Sequence, residues 1–218
     1  DDLIKKRDMV KFSNVFGVPR TMTYLRKDEK YDVINIVEKK GHRDNVFGDV
    51  WHSDHAYEKN PPQFTIIHCP IIPPYGGETL FSSNAESFKL FCNKNNINLY
   101  GQVIVNKMPL ETQQLLKKKF PKNNSFEVET TKNIVENIYG FDVFTCNRYH
   151  SKLPDKVNST LTNKILNEIF EIQELNSVLK KADWSKNQIL MWNNHLVLHK
   201  ANNDYDDHHR TLWRILID

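Results

Sequence analysis

The chain has 218 residues, 39% hydrophobic and 26% charged, with a net charge of +3. That is enough for one globular domain with a sizeable core and short of two comfortable ones. No apolar run reaches the roughly 18 residues that a membrane span needs, and the charge is too small to argue for nucleic acid. Cys69, Cys92 and Cys146 are isolated and odd in number, which fits a reducing, cytoplasmic compartment rather than a disulfide framework. The chain opens on Asp1 instead of methionine, as a processed or shortened amino end would.

In chain order, "KYDVINIVEKK" alternates apolar and polar residues from Tyr31 to Val37 and predicts a strand. "DVWHSDHAY" alternates in the same way, "PQFTIIHCPII" is β-rich, and "PPYGGETLFSS" reads as a turn entering a short strand. Ser83-x-x-Glu86 is a capping box that predicts a helix to about Asn93. "LETQQLLKKKF" predicts a second helix, with Lys117, Lys118 and Lys119 on a solvated face. Pro121 to Ile138 is polar and aperiodic and predicts a long loop or mobile lid. "YGFDVFTCNRY" returns to strand. Leu161, Ile165, Leu166, Ile169 and Phe170 form a helical stripe after Asn158 or Ser159. "QILMWNN", "LVLHKA" and "RTLWRILI" predict three closing strands. Strands dominate, helices are inserted and no βαβ alternation appears, so the expected architecture is a β-sandwich or barrel decorated by helices.

One segment raises the question of a metal. On a strand, residues i and i+2 share a face with Cα atoms roughly 6.5–7 Å apart. His52 and Asp54 can therefore converge on one ion, whereas His55 points to the other face and reads as a packing or supporting residue. Alone, His-x-Asp is a weak signal, and a hydrogen-bonded pair on a sheet explains it as well. The carboxyl end shifts the balance, with His195, His199, His208 and His209 followed by Arg210 and Arg214. In the final strand Arg210, Leu212, Arg214 and Leu216 share a face, and two guanidinium groups on an otherwise apolar face need anions. A two-histidine, one-carboxylate set with open positions suits non-haem Fe(II).

These motifs resemble the taurine dioxygenase (TauD/TfdA) family of Fe(II)- and 2-oxoglutarate-dependent oxygenases. The resemblance runs from "FSNVFG" (Phe12 to Gly17) to the last strand and rests on "WHSDHAYEKNPP", "PPYGGETLFSS" and "WNNHLVLHKANNDYDDHHRTLWR". It implies a double-stranded β-helix (jelly-roll) fold, with His52, Asp54 and His199 as iron ligands. It also implies Thr79 and Arg210 as the clamp for the far carboxylate of 2-oxoglutarate, and Trp192 beside the metal. Arg214, Tyr149 and His150 fall at substrate positions. The implied activity is oxidation, chiefly hydroxylation, of a small anionic molecule by O₂, with release of succinate and CO₂. Neither nucleic acid nor a membrane is an expected partner, and a homo-oligomer is compatible with the reading. The chain departs from the family pattern at Asn193, where the family has an aspartate. It also departs at Met22, Tyr24 and Leu25, which stand near the residues that hold sulfonate in the taurine enzyme. A non-catalytic binding protein with a degenerate site and a Zn²⁺ hydrolase on the same ligands are the alternatives.

Overall fold

The computed structural model describes residues 3–22, 24–41, 48–122, 125–157 and 160–218. In chain order the elements are α1 (Lys6–Ser13), β1 (Pro19–Arg20), β2 (Asn35–Lys39), β3 (Phe64–Ile71), β4 (Thr79–Ser83) and α2 (Asn84–Lys94). Then come β5 (Val103–Lys107), α3 (Leu110–Lys119), β6 (Glu129–Asn133), β7 (Val135–Ile138), β8 (Phe141–Phe144) and β9 (Ser151–Lys152). The chain closes with α4 (Thr160–Gln173), β10 (Leu179–Ala182), β11 (Ile189–Asn193), β12 (Val197–Ala201) and β13 (Arg210–Ile217). Among the described residues no helix is long and apolar enough to cross a membrane.

Two antiparallel sheets face each other. The larger runs β1-β13-β3-β11, with β2 sharing an edge of β13 with β1, and the smaller runs β10-β4-β12. Apart from an irregularity in β3 opposite Thr211 and Trp213, period-two alternation assigns the residues of the long strands to one face or the other. The inward residues Ile67, Cys69, Trp192 and Leu212 pack with Phe81 and Val197 of the smaller sheet. The outward residues Ile66, Ile215 and Ile217 bury Met9 of α1. This is the jelly-roll arrangement, and it puts Arg210 and Arg214 between the sheets, as the alternation of the last strand predicts. A second core joins α2 and α4 to β5, β7 and β8 through Phe91, Ile104, Phe144 and Ile169.

The capping box behaves as expected: Ser83 caps α2 and its hydroxyl accepts the Glu86 backbone N–H at 3.2 Å. The predicted α4 start at Asn158 or Ser159 lies outside the described residues. Two expectations fail. "DVWHSDHAY" is not a strand: only His52 makes a β-bridge, to His199, and the chain then turns through Asp54–Tyr57, with His55 left-handed at φ 54°. The described part of Pro121 to Ile138 is not one irregular loop, because it contains β6 and β7. β6 is an edge strand paired only to β5, and its Glu-Thr-Thr-Lys-Asn sequence shows water on alternate residues without any apolar periodicity. β7 and β8 form a hairpin whose two-residue turn, Tyr139-Gly140, is left-handed at both positions, a type I′ pattern carried by Tyr-Gly instead of the familiar Asn-Gly.

The packing predicts where truncation hurts. Ile215 is fully buried between the larger sheet and α1, so Ile215→Ala is expected to cost about 2–5 kcal/mol. Leu110 is 73% exposed, and Leu110→Ala should stay within about 0.5 kcal/mol of wild type. Urea denaturation followed by tryptophan fluorescence measures both, and equal losses would contradict this account of the core.

Candidate active site

The β-bridge joins the two histidines. His52 and His199 exchange backbone hydrogen bonds of 3.1 and 2.8 Å, so their side chains leave on the same side and their rings lie 4.2 Å apart, centre to centre. The turn after Ser53 swings Asp54 back towards them. Its Oδ1 is 3.9 Å from His52 Nε2, its Oδ2 is 3.8 Å from His199 Nε2, and the ligating atoms of all three residues fall within 4.8 Å of one another. Convergence thus comes from a bridge and a turn, not from the i, i+2 spacing of a strand. His52 Nδ1 sits 2.7 Å from the Val50 carbonyl, which selects the tautomer with Nδ1–H donating and leaves Nε2 bare for a metal. Trp192 stacks beside His199 at 4.7 Å, as expected.

Electrostatics prepare the cluster. Burial alone would raise the Asp54 carboxyl, but the Arg214 guanidinium, 3.0 Å from Oδ1, overrides it and holds the group well below the carboxylate range. Burial pushes both histidines down, His199 to about 3, so both rings are neutral at pH 7. The result is two neutral imidazoles and one carboxylate, the donor set for a divalent transition metal.

Arg214 therefore supports a ligand as well as facing the cavity. That cavity, of about 520 Å³, opens beside the cluster and is lined by Tyr24, Tyr57, Tyr149, His150 and Arg214, with Asp49 and Glu111 also on its wall. Tyr149 and His150 both line this cavity. His150 Nδ1–H donates to the Lys107 carbonyl at 2.9 Å, and the Tyr149 ring lies 6.3 Å from the His52 ring, centre to centre. His55 is not turned away from the site, as a strand would have it. Its left-handed backbone lays the ring on the cavity wall, between Glu58 at 2.7 Å and the hydroxyls of Tyr57 and Tyr24. Tyr57 and the Asp54 partner Thr65 were not singled out in the sequence. The available signal was Thr65 as a lone hydroxyl at the start of an apolar run. None of the described residues of Pro121 to Ile138 lines this cavity; residues 130–133, 136 and 138 line a separate one of about 500 Å³, with Lys59 and His195.

Arg210 is the other half of the site. It is 3% exposed, and its Nε and Nη2 have no hydrogen-bond partner among the described residues. The Tyr205 ring lies 5.6 Å from the guanidinium carbon, and the Gly76-Gly77 turn closes over the stem. Gly77 is left-handed, and a Cβ there would come within 3.1 Å of Tyr205 and 3.3 Å of Arg210 Cδ, which explains a glycine at this position. Thr79 is buried opposite Ala201, two pairs along from Phe81 opposite His199. Cross-strand partners share a face, so Thr79 looks the same way as His199. A buried guanidinium with orphaned N–H groups fits a carboxylate guest, and the bare imidazole nitrogens with Asp54 fit Fe(II). The donor set and the orphaned groups are thus consistent with iron and 2-oxoglutarate.

His150 makes the site sensitive to acid. Burial lowers its imidazolium to about 4, against 6.5 ordinarily. As pH falls, the unfolded chain takes up this proton first, so the contribution is complete above 6.5 and is lost progressively towards 4. Between pH 7 and 5 the metal-free protein should lose roughly 2 kcal/mol through this group. Urea midpoints at the two pH values are expected to show that drop in wild type and a smaller one in His150→Gln. An unchanged drop would assign the proton elsewhere.

Comparison with known proteins places this geometry. The chain is 26% identical over 222 residues to the alkylsulfatase of Acinetobacter baylyi, covering 95% of this chain and 67% of that protein. It is 23% identical over 179 residues to the alpha-ketoglutarate-dependent sulfonate dioxygenase of Saccharomyces cerevisiae, covering 79% of this chain and 42% of the relative. The chain thus spans between two fifths and two thirds of these curated relatives. A taurine dioxygenase structure from Burkholderia xenovorans superposes with a TM-score of 0.78 at 19% identity, covering 99% of this chain and 73% of that one. The structure of AAD-2 in complex with Mn(II) and N-oxalylglycine gives 0.74 at 15% identity, over 100% and 79% of the two chains. At these identities the structural likeness shows the fold. The model of the taurine catabolism dioxygenase TauD, TfdA family matches residues 2–216, and the chain belongs to that family.

Proposed function

We propose that the chain carries out an Fe(II)- and 2-oxoglutarate-dependent oxidation of a small organic molecule by O₂, releasing succinate and CO₂. The observation that carries this reading is a buried His-Asp-His cluster combined with a buried, unmatched guanidinium at Arg210. A zinc hydrolase on the same ligands has no use for that second feature.

Bound iron and 2-oxoglutarate supply the activation of O₂ and the oxidising power. The chain's own residues supply binding, orientation and exclusion of water. His52, Asp54 and His199 offer one face of ligands and a single negative charge to a divalent cation. Arg210 meets the far carboxylate of 2-oxoglutarate with a planar fork, at a depth where few waters compete, and Thr79 adds a hydroxyl. Tyr24, Tyr57, Tyr149 and His150 shape the cavity for the substrate. We take that substrate to bear an acidic group. The relatives' names include a sulfonate dioxygenase and an alkylsulfatase. Arg214 is the one lysine or arginine among the described lining residues, and the acidic group would share it with Asp54. Hydroxylation is the simplest outcome of hydrogen abstraction in such a cavity.

The test is succinate formation from 2-oxoglutarate with Fe(II) and ascorbate, screened over sulfonates, sulfate esters and carboxylic acids. The two arginines should then fail differently. Removing one partner of a buried charged pair costs about 3–5 kcal/mol, or roughly two to three and a half decades. Arg210→Ala should therefore raise the KM for 2-oxoglutarate by that factor, and Arg210→Lys should remain impaired because the fork is lost. Arg214→Ala should raise the Fe(II) requirement and the substrate KM instead, since it frees Asp54 and strips the cavity of its cation. An unchanged 2-oxoglutarate KM in Arg210→Ala would move the cosubstrate elsewhere.

A further inference from the structure

Asn194 is 3% exposed and satisfies every polar atom it has. Its backbone N–H donates to the Gln63 carbonyl at 2.9 Å, and its carbonyl accepts from the Ser53 hydroxyl. The side-chain Oδ1 accepts from Trp192 Nε1 at 3.0 Å. The side-chain Nδ2 donates to the Pro62 carbonyl at 3.2 Å and to Thr65 Oγ1 at 2.8 Å. Thr65 Oγ1 in turn lies 2.7 Å from Asp54 Oδ2.

The direction of this chain follows from donor chemistry. An indole nitrogen can only donate, so the Asn194 oxygen must face Trp192 and the amide nitrogen must face Thr65. Thr65 Oγ1 then accepts a hydrogen bond from the Asn194 amide, and its own single proton points at Asp54. We propose that Asn194 is the positioning residue of the metal cluster, fixing the direction of a hydrogen-bond relay through Thr65 that orients the Asp54 carboxylate. This inference rests on the metal-site reading above. Asp54 is held at both oxygens, Oδ1 by Arg214 and Oδ2 by Thr65, and so cannot pivot about its Cβ–Cγ bond. Asn194 also reaches the other two ligands. Trp192 packs on His199, and the Ser53 anchor sits between His52 and Asp54 in the chain.

The experiment is Mn(II) binding to the folded chain without turnover, read from the free Mn(II) signal by electron paramagnetic resonance. Wild type should bind, and His52→Ala should abolish binding. Outer partners of metal ligands typically contribute roughly 10- to 100-fold in affinity. Thr65→Val and Asn194→Ala should each weaken Mn(II) by about that factor, while Thr65→Ser, which keeps the hydroxyl, should return close to wild type. Asn194→Asp should behave like Thr65→Val, because the Thr65 proton would swing to the new carboxylate and leave Asp54. Since the relay is serial, the Thr65→Val, Asn194→Ala double variant should bind no more weakly than Asn194→Ala alone. Circular dichroism confirms that each variant is folded, and Thr65→Val and Thr65→Ser are mild enough to decide the matter if the Asn194 variants are not. Wild-type affinity in folded Thr65→Val, or fully additive losses in the double variant, would overturn the relay. Failure of wild type itself to bind in a His52-dependent way would overturn the metal-site reading, and the relay with it.

Discussion

An ionised carboxylate kept away from water organises the centre of this molecule. Asp54 is 4% exposed, and a lone buried charge would cost several kcal/mol unless partners met it. Arg214 and Thr65 meet it from two neighbouring strands, and both belong to the inward face of the larger sheet. That requirement ties the site to the register of β13 against β3, where Arg214 pairs with Ile67 and Leu216 with Thr65. A slip of one residue would send Arg214 out among the isoleucines that cover α1 and turn Ile215 inward. The same apolar alternation that builds the two cores therefore guards the charge pair.

Arg210 and Arg214 lie four residues apart on one face and have opposite fates. Arg214 is matched by a carboxylate from its own chain, and against the opposing effect of burial it lowers the pKa of that carboxylate, which stays charged. Among the described residues Arg210 has aromatic and thiol neighbours instead of an anion, and burial pushes the adjacent Cys69 thiol up to about 11. Lys39, its cross-strand neighbour, is turned to Asn203 and to the Asp206 carbonyl. A region holding a surplus of buried positive charge is complementary to a dicarboxylate guest, and the Gly76-Gly77 turn leaves the guanidinium stem covered and its fork directed inward.

Much of this was legible in the sequence, for reasons that differ by element. Strands with one apolar face declare themselves by period two, so β3, β11, β12 and β13 were readable, and with them the shared face of the two arginines. The α2 cap was readable because Ser83 and Glu86 are local chemistry. His52 and Asp54 do converge, but by a route the sequence argument does not describe, because a bridge followed by a left-handed turn mimics the i, i+2 convergence of a strand. That substitution also misdirected His55, whose position depends on φ and not on alternation. β6 and β7 were hidden because an edge strand needs no apolar stripe, and because Tyr-Gly is an unadvertised type I′ turn. α1 escaped notice since only Met9 and Ser13 are buried on it. Thr65 and Asn194 look like ordinary polar residues in their segments, and their importance appears only when two strands and a turn are brought together in space.

The site also departs from the rule that buried polar groups find partners. Among the described residues His199 Nδ1 and two nitrogens of Arg210 have none, whereas Asn194, five residues before His199, has every atom satisfied. A fully paired Arg210 would give a more stable protein and a worse receptor, because the guest would have to displace an internal anion. Leaving it orphaned places a penalty in the free protein that a carboxylate guest offsets on binding. Guest binding and folding are thereby linked through the same inward face, and whatever fills the arginine fork stabilises the sheet that carries it.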